Sequence, residues 1–160
     1  MHTMRFEETY KKLALELDEI IPERWDKVYL YARVSEGVQS VYFYYYPQEK
    51  NQPIYSMDII DLFEIDEDIM NKYIFNLCNY CKELWQGFKE NEQELWTNFT
   101  FFLNSDGKFN FEYDYTDLSK VDDYERQIIW EYKYLGIEPS IERKRDRKIL
   151  DSYLKKLNKK

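Results

Sequence analysis

Two cysteines three positions apart are the first residues in this chain whose spacing could support chemistry. Cys78 and Cys81 form a C-x-x-C motif, which serves redox exchange where it opens a helix and the helix dipole lowers the thiol pKa. Here both cysteines fall deep within a segment of helical periodicity, and a zinc site would need two further ligands. The chain has no other Cys and a single His, His2. The sequence therefore predicts structural cysteines rather than a redox or metal site.

No nucleophile with an adjacent base can be assigned in this sequence. Hydrolysis and group transfer usually need such a pair, and His2 stands at the chain terminus. Carboxylate pairs could do acid–base work, but nothing selects one pair among 31 Asp and Glu residues. With four glycines in total, there is no G-x-G-x-x-G or Walker A phosphate loop. We predict that the protein is not an enzyme and takes no cofactor, metal or small-molecule substrate.

Two groups of acidic residues are the candidate partner-binding sites. A nuclease grips phosphates with Lys and Arg, so carboxylates at comparable spacing could occupy its groove, and electrostatic steering would speed the encounter. Exposed Tyr and Trp would supply the buried anchors. The first acidic group is Asp58, Asp61, Glu64, Asp66, Glu67 and Asp68; the second acidic group is Glu112, Asp114, Asp117, Asp122 and Asp123.

A plainer interpretation of these acids stays open. Some of them can serve the positive end of a following helix, and negative charge keeps a tyrosine-rich surface in solution. The spacing within the first acidic group does not follow the Asp, Asn and Gly pattern of an EF-hand loop. Calcium binding is therefore not predicted there.

Charge is distributed unevenly along the chain. Residues 142–160 contain nine Lys or Arg against three acids, a net +6, while residues 1–141 contain fourteen against twenty-eight, a net −14. The acidic body should repel nucleic acid and attract basic partners, so no direct nucleic-acid binding is predicted. The basic tail is a solvated helix face or a docking segment, for the body or for a partner. Nucleic-acid binding by the tail is less favoured, because Tyr153 is its only aromatic residue.

The elements that must position these residues are clearest over residues 109–139. Residues 109–115 alternate strictly between aromatic and polar types, which predicts a half-buried strand. The spacing then changes to three and four, which predicts a helix with Ser119 as N-cap and Asp122 completing the capping box. Gly136 and Pro139 mark its end. Its predicted apolar stripe is Val121, Tyr124, Ile128, Tyr132 and Leu135.

The rest of the chain reads as helices and strands in alternation. A helical stripe from Phe6 to Ile20 precedes strands 25–35 and 38–46, which meet at a turn containing Gly37. A third strand is predicted at 54–60, a helix at 66–90 with a buried stripe starting at Ile69, and a strand at 96–103. Asp106 and Gly107 signal the second hairpin turn, and residues 141–160 read as a terminal helix. We predict an α+β fold: an antiparallel sheet built from two hairpins, packed by helices mainly on one face.

Length and composition set the remaining expectations. A chain of 160 residues suits one core, here an α+β domain at 1–141 followed by a basic helix or tail at 142–160. No apolar run is long enough to cross a membrane, and the N-terminus lacks the apolar stretch of a signal peptide. A cytoplasmic protein with no membrane partner is expected.

Three segments carry a resemblance to a known family. Residues 125–139 read ERQIIWEYKYLGIEP, residues 111–115 read FEYDY and residues 21–34 read IPERWDKVYLYARV. These segments are similar to segments of the YezG-like (EsaG-like) immunity proteins. Together with the matching order of helices and strands, the similarity covers nearly the whole chain. These motifs are long but not catalytic, and they include candidate core residues around Trp25 and Trp130.

The resemblance implies an antitoxin of a Gram-positive bacterium. Such a protein binds, without covalent chemistry, the nuclease domain of a cognate secreted toxin that has an LXG-type N-terminal region and leaves by type VII secretion. The alternative from a different class is an acidic adaptor or nucleic-acid mimic that regulates another nucleic-acid-binding protein. The interface residues proposed above come from charge rather than from the family.

Overall fold

The computed structural model describes residues 2–159, with side chains from Phe6 onward. The chain forms two compact units, an N-terminal unit ending at Thr116 and a C-terminal unit starting at Asp117. The N-terminal unit contains helices α1 (His2–Ile20), α2 (Ile59–Phe63) and α3 (Glu67–Glu90), and strands β1 (Trp25–Ser35), β2 (Val38–Pro47), β3 (Ile54–Tyr55), β4 (Asn98–Asn104) and β5 (Phe109–Asp114). The C-terminal unit contains helices α4 (Asp123–Leu135) and α5 (Lys144–Asn158). The predicted domain division at 141 stays a prediction.

The five strands form one antiparallel sheet in the order β3-β2-β1-β4-β5. The β1–β2 and β4–β5 pairs are the two predicted hairpins, and β1 joins them by pairing with β4. At the centre of the sheet, Leu30 stands opposite Phe43 on one side and Phe101 on the other. The α+β class and the antiparallel sheet are confirmed.

One face of this sheet carries the hydrophobic core of the N-terminal unit. Period two places Val28, Leu30, Ala32 and Val34 on the same side of β1, and all four are buried. Helix α3 contacts β1 and β2 on this side, and α1 packs along α3. Leu13, on α1, is fully buried in the same cluster. Truncating such a side chain to Ala typically costs about 2–5 kcal/mol.

Tyrosine rings line the opposite face of the sheet. Tyr31 and Tyr42 stack across the first hairpin with ring centroids 5.1 Å apart, and Tyr44 and Tyr55 lie 4.9 Å apart. Tyr31 and Tyr44 are only 4% and 3% exposed. The rings of Tyr31 and Tyr44 therefore contribute to stability and are not available as free contact surface, while Tyr42 and Tyr55 are half-buried.

The predicted third strand is much shorter than expected. Only Ile54 and Tyr55 pair with β2, after which a single 3-10 turn (Ser56–Asp58) leads into α2. The chain leaves the sheet because the Ser56 hydroxyl accepts a hydrogen bond from the backbone N–H of Phe43, at 3.3 Å, while Ile59 turns into the core and is fully buried. The prediction of a strand through residue 60 was wrong.

The predicted N-cap of α4 was also wrong. Asp122 caps the helix, with its carboxylate accepting the backbone N–H of Tyr124 at 3.0 Å. Ser119 instead donates its own N–H to Asp117, at 2.9 Å, in a turn that precedes the helix. Val121 consequently lies outside the helix and is exposed.

Two apolar stripes shift accordingly. In α4, Tyr124 is 42% exposed, while Ile128 and Trp130 are buried. In α3, Ile69 is 51% exposed and Met70 takes its place in the core. Both misassigned side chains, Tyr124 and Ile69, lie in the first turn of their helix.

Candidate partner-binding surfaces

The first acidic group is an exposed cluster carried by α2 and the start of α3. All six of its carboxylates are exposed, and none forms an ion pair within the described residues. Asp66 is the N-cap of α3, accepting the N–H of Asp68 at 2.8 Å. Glu64 ends α2 with a φ of +52°. One acid is therefore structural, and the others present uncompensated negative charge.

Apolar side chains lie among these acids. Met57, Leu62 and Ile69 are 50%, 60% and 51% exposed. An interface commonly has an apolar centre with a polar and charged rim. This part of the N-terminal unit therefore has the composition of a contact surface rather than of a purely solvating one.

The second acidic group is divided between the two units and is more deeply engaged in local structure. Glu112 is exposed on β5. Asp114 accepts hydrogen bonds from the backbone N–H and the hydroxyl of Thr116, at 2.9 and 2.6 Å. In the C-terminal unit, Asp117 holds the turn before α4, Asp122 caps that helix, and Asp123 is exposed in its first turn.

Hydrogen bonding fixes the charge of one of these carboxylates. The backbone N–H and the hydroxyl of Ser119 lower the pKa of Asp117 below its ordinary value of 3.8. Asp117 is therefore ionised at neutral pH. Its carboxylate is partly committed to the turn, which limits what it can offer a partner.

Within the N-terminal unit the two acidic groups are associated with opposite edges of the sheet, not with its two faces. The first follows β3, and Glu112 and Asp114 lie on β5 at the other end of the strand order. Four strand spacings of about 4.8 Å separate β3 from β5. The sequence could not show this separation, because it depends on β1 pairing with both β2 and β4.

Aromatic side chains reinforce β5 from the helical side. The rings of Phe111 and Phe101 are 4.6 Å apart, and those of Tyr10 and Phe111 are 4.3 Å apart. The hydroxyls of Tyr10 and Tyr113 are hydrogen bonded at 3.0 Å, and burial raises the pKa of Tyr113. These contacts fix the strand firmly against α1.

Some aromatic residues nevertheless remain available to a partner. Phe109 and Tyr115, at the two ends of this segment, are 48% and 46% exposed. In the C-terminal unit Tyr124 is 42% exposed. These rings, and not the buried tyrosines of the sheet, are the candidates for the predicted aromatic anchors.

The two cysteines lie on α3 as free thiols. Cys81 is fully buried and Cys78 partly so, and burial raises the pKa of both thiols. A raised pKa suppresses the thiolate that redox exchange and metal binding require. Among the described residues no group of three or more His, Cys, Asp and Glu is placed to hold a metal ion. The side chain of His2 lies outside the described part of the chain.

The basic tail folds as helix α5, and its arginines pair within the C-terminal unit. Arg147 contacts Glu138 at 2.9 Å and Asp151 at 3.1 Å, and Arg145 lies 3.9 Å from Asp122. The lysines at 144, 148, 155 and 156 have no ion pair within the described residues. The arginines of α5 therefore stabilise the C-terminal unit, whereas these four lysines present positive charge that no ion pair among the described residues compensates.

A buried carboxylate in this unit was not anticipated from the sequence. Asp146 is 4% exposed, pairs with Arg143 and accepts a hydrogen bond of 2.6 Å from the Tyr124 hydroxyl. The only sequence signal was the i,i+3 spacing of Arg143 and Asp146, which is common in exposed helices. Its burial depends on α4 and α5 packing together.

None of the helices among the described residues is both long and apolar enough to span a bilayer.

Comparisons with known proteins agree with the resemblance carried by the three segments. The model of the family described as immunity protein YezG-like matches residues 6–149.

Named relatives cover almost all of the chain. It is 38% identical over 150 residues to Immunity protein YezG of Bacillus subtilis (strain 168), with 92% of this chain and 98% of the relative covered. It is 35% identical over 157 residues to Immunity protein YezG of Bacillus spizizenii, with 97% and 96% covered. It is 29% identical over 161 residues to Type VII secretion system protein EsaG of Staphylococcus aureus, with 96% and 99% covered.

Proposed function

This chain belongs to the YezG-like family of immunity proteins, and on that premise we propose that it neutralises a cognate secreted toxin by occluding the toxin's nuclease domain. Binding is non-covalent and uses acidic surface of the N-terminal unit together with exposed aromatic side chains. The protein acts in the cytoplasm, where a nuclease toxin would reach its substrate. Family membership also supports the prediction that the chain is not an enzyme.

The exposed first acidic group is the observation that carries this proposal. Its carboxylates form no ion pair within the part of the chain that the structure describes, and Met57, Leu62 and Ile69 provide apolar contact area beside them. A nuclease groove presents Lys and Arg to phosphates, and a carboxylate can take the place of a phosphate on such a residue. The surface is therefore complementary in charge to a basic groove that binds nucleic acid.

The charge of the N-terminal unit favours rapid encounter with a basic partner. Residues 1–116 contain eleven Lys or Arg and twenty-two Asp or Glu, a net −11. Residues 117–160 contain twelve and nine, a net +3. A field of this sign raises the association rate with a basic protein, and the increase falls with ionic strength.

The test is inhibition of cleavage by the nuclease domain of the toxin encoded beside the gene, titrated at low and high salt. A triple variant, Asp61→Asn with Glu64→Gln and Glu67→Gln, removes three charges and leaves the Asp66 cap in place. We expect inhibition to weaken by about tenfold or more, mainly through slower association at low salt. The matched control is Glu7→Gln with Glu8→Gln and Glu19→Gln, three exposed acids of α1, for which less than about a threefold change is expected.

The possible results distinguish an error in the proposed function from an error in the proposed interface. If the unmodified protein fails to inhibit cleavage at any ratio, the proposed function is wrong for that pair, and an acidic adaptor for another nucleic-acid-binding protein becomes the better explanation. Tight inhibition that responds neither to salt nor to the triple variant would keep the function and assign the interface to the aromatic side chains.

A further inference from the structure

Strand β5 forms an edge of the sheet with one side unpaired. Among the described strands it pairs only with β4, in a register that runs without interruption. Just before the strand, the N–H of Asn104 donates to the carbonyl of Lys108 at 2.8 Å. Because bonding alternates along an antiparallel pair, Asn110 and Glu112 continue this phase and direct their backbone groups toward β4.

The intervening residues direct their backbone groups the other way. The N–H and C=O groups of Phe109, Phe111 and Tyr113 point away from β4, and nothing in the part of the chain that the structure describes accepts or donates to them. They form a row of three donors and three acceptors at the spacing that an added strand requires.

This edge is protected against strand addition by charge alone. Natural edges are blunted by charged side chains, especially Lys, by Pro or by a β-bulge; β5, with the sequence FNFEYD, has two acids but no Lys, Pro or bulge. Its acids would repel an acidic strand and not a basic one. Its six residues extend over roughly 20 Å. The opposite edge is formed by the two residues of β3 and by the part of β2 that precedes Tyr44, and it is interrupted where the Ser56 hydroxyl accepts the N–H of Phe43. Strand β5 is therefore the edge that consists of one continuous strand.

The strand is already rigid, which lowers the cost of binding. Phe111 is packed against Phe101 and Tyr10, and Tyr113 is hydrogen bonded to Tyr10. An ordered edge does not lose further conformational freedom when a partner strand pairs with it. The exposed rings of Phe109 and Tyr115 at its ends supply apolar contacts that backbone pairing alone lacks.

Charge indicates what kind of strand fits. The side chains of Glu112 and Asp114 lie on the same side of β5, since they are two residues apart. Opposite charges on directly facing cross-strand positions are favourable. Pairing β5 with a second copy would bring together two units of net −11, which opposes self-association. A strand with Lys or Arg at every second position has the complementary charge.

We propose that β5 accepts an added strand from the toxin, with basic side chains at alternating positions facing Glu112 and Asp114. This inference rests on the proposed function, because the toxin is the strand donor. It adds a contact made through the backbone at the β5 edge of the sheet. The first acidic group is far from this edge in the strand order, because it comes directly after β3 in the chain. Immunity then uses two surfaces, one recognising charge and the other an extended segment.

Amide hydrogen exchange by NMR tests the pairing directly. In the free protein the amides of Phe109, Phe111 and Tyr113 should exchange fast, while those of Asn110 and Glu112 exchange slowly. Bound to the toxin's nuclease domain, the three outward amides should slow by about a hundredfold or more, because each gains a partner. The alternation in exchange rate would then disappear.

A pair of variants tests the backbone contribution without changing charge. Phe109→Pro removes one outward N–H at the first residue of the strand, a position where proline is tolerated. Phe109→Ala removes the same ring and keeps the N–H. The proline variant should bind the toxin domain about tenfold or more weakly than the alanine variant, with equal thermal stability as the check on folding.

A second pair tests the charge of the added strand. Glu112→Lys should weaken binding by about tenfold or more at low salt, because the introduced ammonium would face basic residues. The control is Glu49→Lys, an exposed glutamate in the turn after β2, which should change binding by less than about threefold.

The results separate this inference from the proposed function. If the toxin domain is bound and inhibited while the alternation in exchange persists, the added strand is disproved and the proposed function stands. If the domain is neither bound nor inhibited, both fail. If the outward amides are already slow in the free protein and become fast on dilution, a second copy occupies the edge and the inference is wrong.

Discussion

Asp146 shows how a single buried charge can hold a pair of helices. Its carboxylate is 4% exposed and meets both Arg143 and the Tyr124 hydroxyl. Burying an ion is costly unless its partners compensate for the lost water. The contact between Tyr124 on α4 and Asp146 on α5 therefore stabilises the C-terminal unit and fixes how its two helices meet.

Asp146→Asn should lower the free energy of unfolding by about 1–3 kcal/mol, because the amide cannot accept from both partners as the carboxylate does. Urea denaturation followed by circular dichroism measures this. Asp151→Asn is the matched control, since Asp151 is on the same helix and 58% exposed, and should cost less than about 1 kcal/mol. Equal effects of the two substitutions would show that the buried contact is not special.

The N-caps fix where two helices begin. Asp122 and Asp66 are the N-caps of α4 and α3, and because Asp122 rather than Ser119 caps α4, Val121 lies before that helix. Asp122 is also a predicted partner-binding residue, so its two roles must be separated by substitution.

Asp122→Ala should cost about 0.5–2 kcal/mol of stability through loss of the cap, whereas Ser119→Ala should cost almost nothing. Asp122→Asn keeps a capping side chain and removes the charge, so it should retain stability. Thermal unfolding measures the three effects. A larger loss for Ser119→Ala than for Asp122→Ala would restore the sequence-based assignment of the cap.

Most strands and long helices follow from periodicity alone. The hairpin at Gly37 and the end of α4 at Gly136 were correctly placed because both glycines adopt positive φ, +74° and +68°, and a side chain there would be strained. The third strand failed because Ser56 and Ile59 are held by tertiary contacts that no local pattern contains. The capping error arose because Ser119 and Asp122 are both good N-caps, and only the turn at Asp117 decides between them.

The candidate surfaces were less predictable than the fold. Acidic clusters are visible in the sequence. The hydrogen bonds that engage some of these carboxylates in local structure are not, because they depend on how each turn folds; the residues concerned are Asp66, Asp114, Asp117 and Asp122. Exposure of Met57, Leu62 and Ile69 could not be foreseen either, because apolar residues are normally assigned to a core.

At the scale of the whole molecule, buried hydroxyls and thiols set the alkaline limit of stability. Burial raises the pKa of Cys78 and Cys81 above 9.0 and of Tyr29, Tyr45, Tyr46 and Tyr113 above 10.0. The unfolded chain releases these protons first as the pH rises, so it then binds fewer protons than the folded chain. By linkage, stability falls with pH in that range.

The free energy of unfolding should therefore be constant near neutral pH and decline once the pH passes about 9 to 10. Urea midpoints at pH 7, 9 and 10.5 give the slope. Tyr113→Phe cannot ionise in either state, so its slope above pH 10 should be shallower than that of the unmodified protein. A slope that is unchanged by the substitution would show that Tyr113 titrates normally.

The pairing of β1 with both β2 and β4 has a consequence for how the chain is made. Leu30 meets Phe43 early in synthesis but must wait for Phe101, about 70 residues later, before its second neighbour exists. Until then β1 has an open, largely apolar edge on the emerging polypeptide. A ribosome-bound chain is therefore most exposed to mispairing after the first hairpin has formed and before β4 leaves the exit tunnel. Slowing translation across α3 should lengthen that interval and increase aggregation without altering the finished protein.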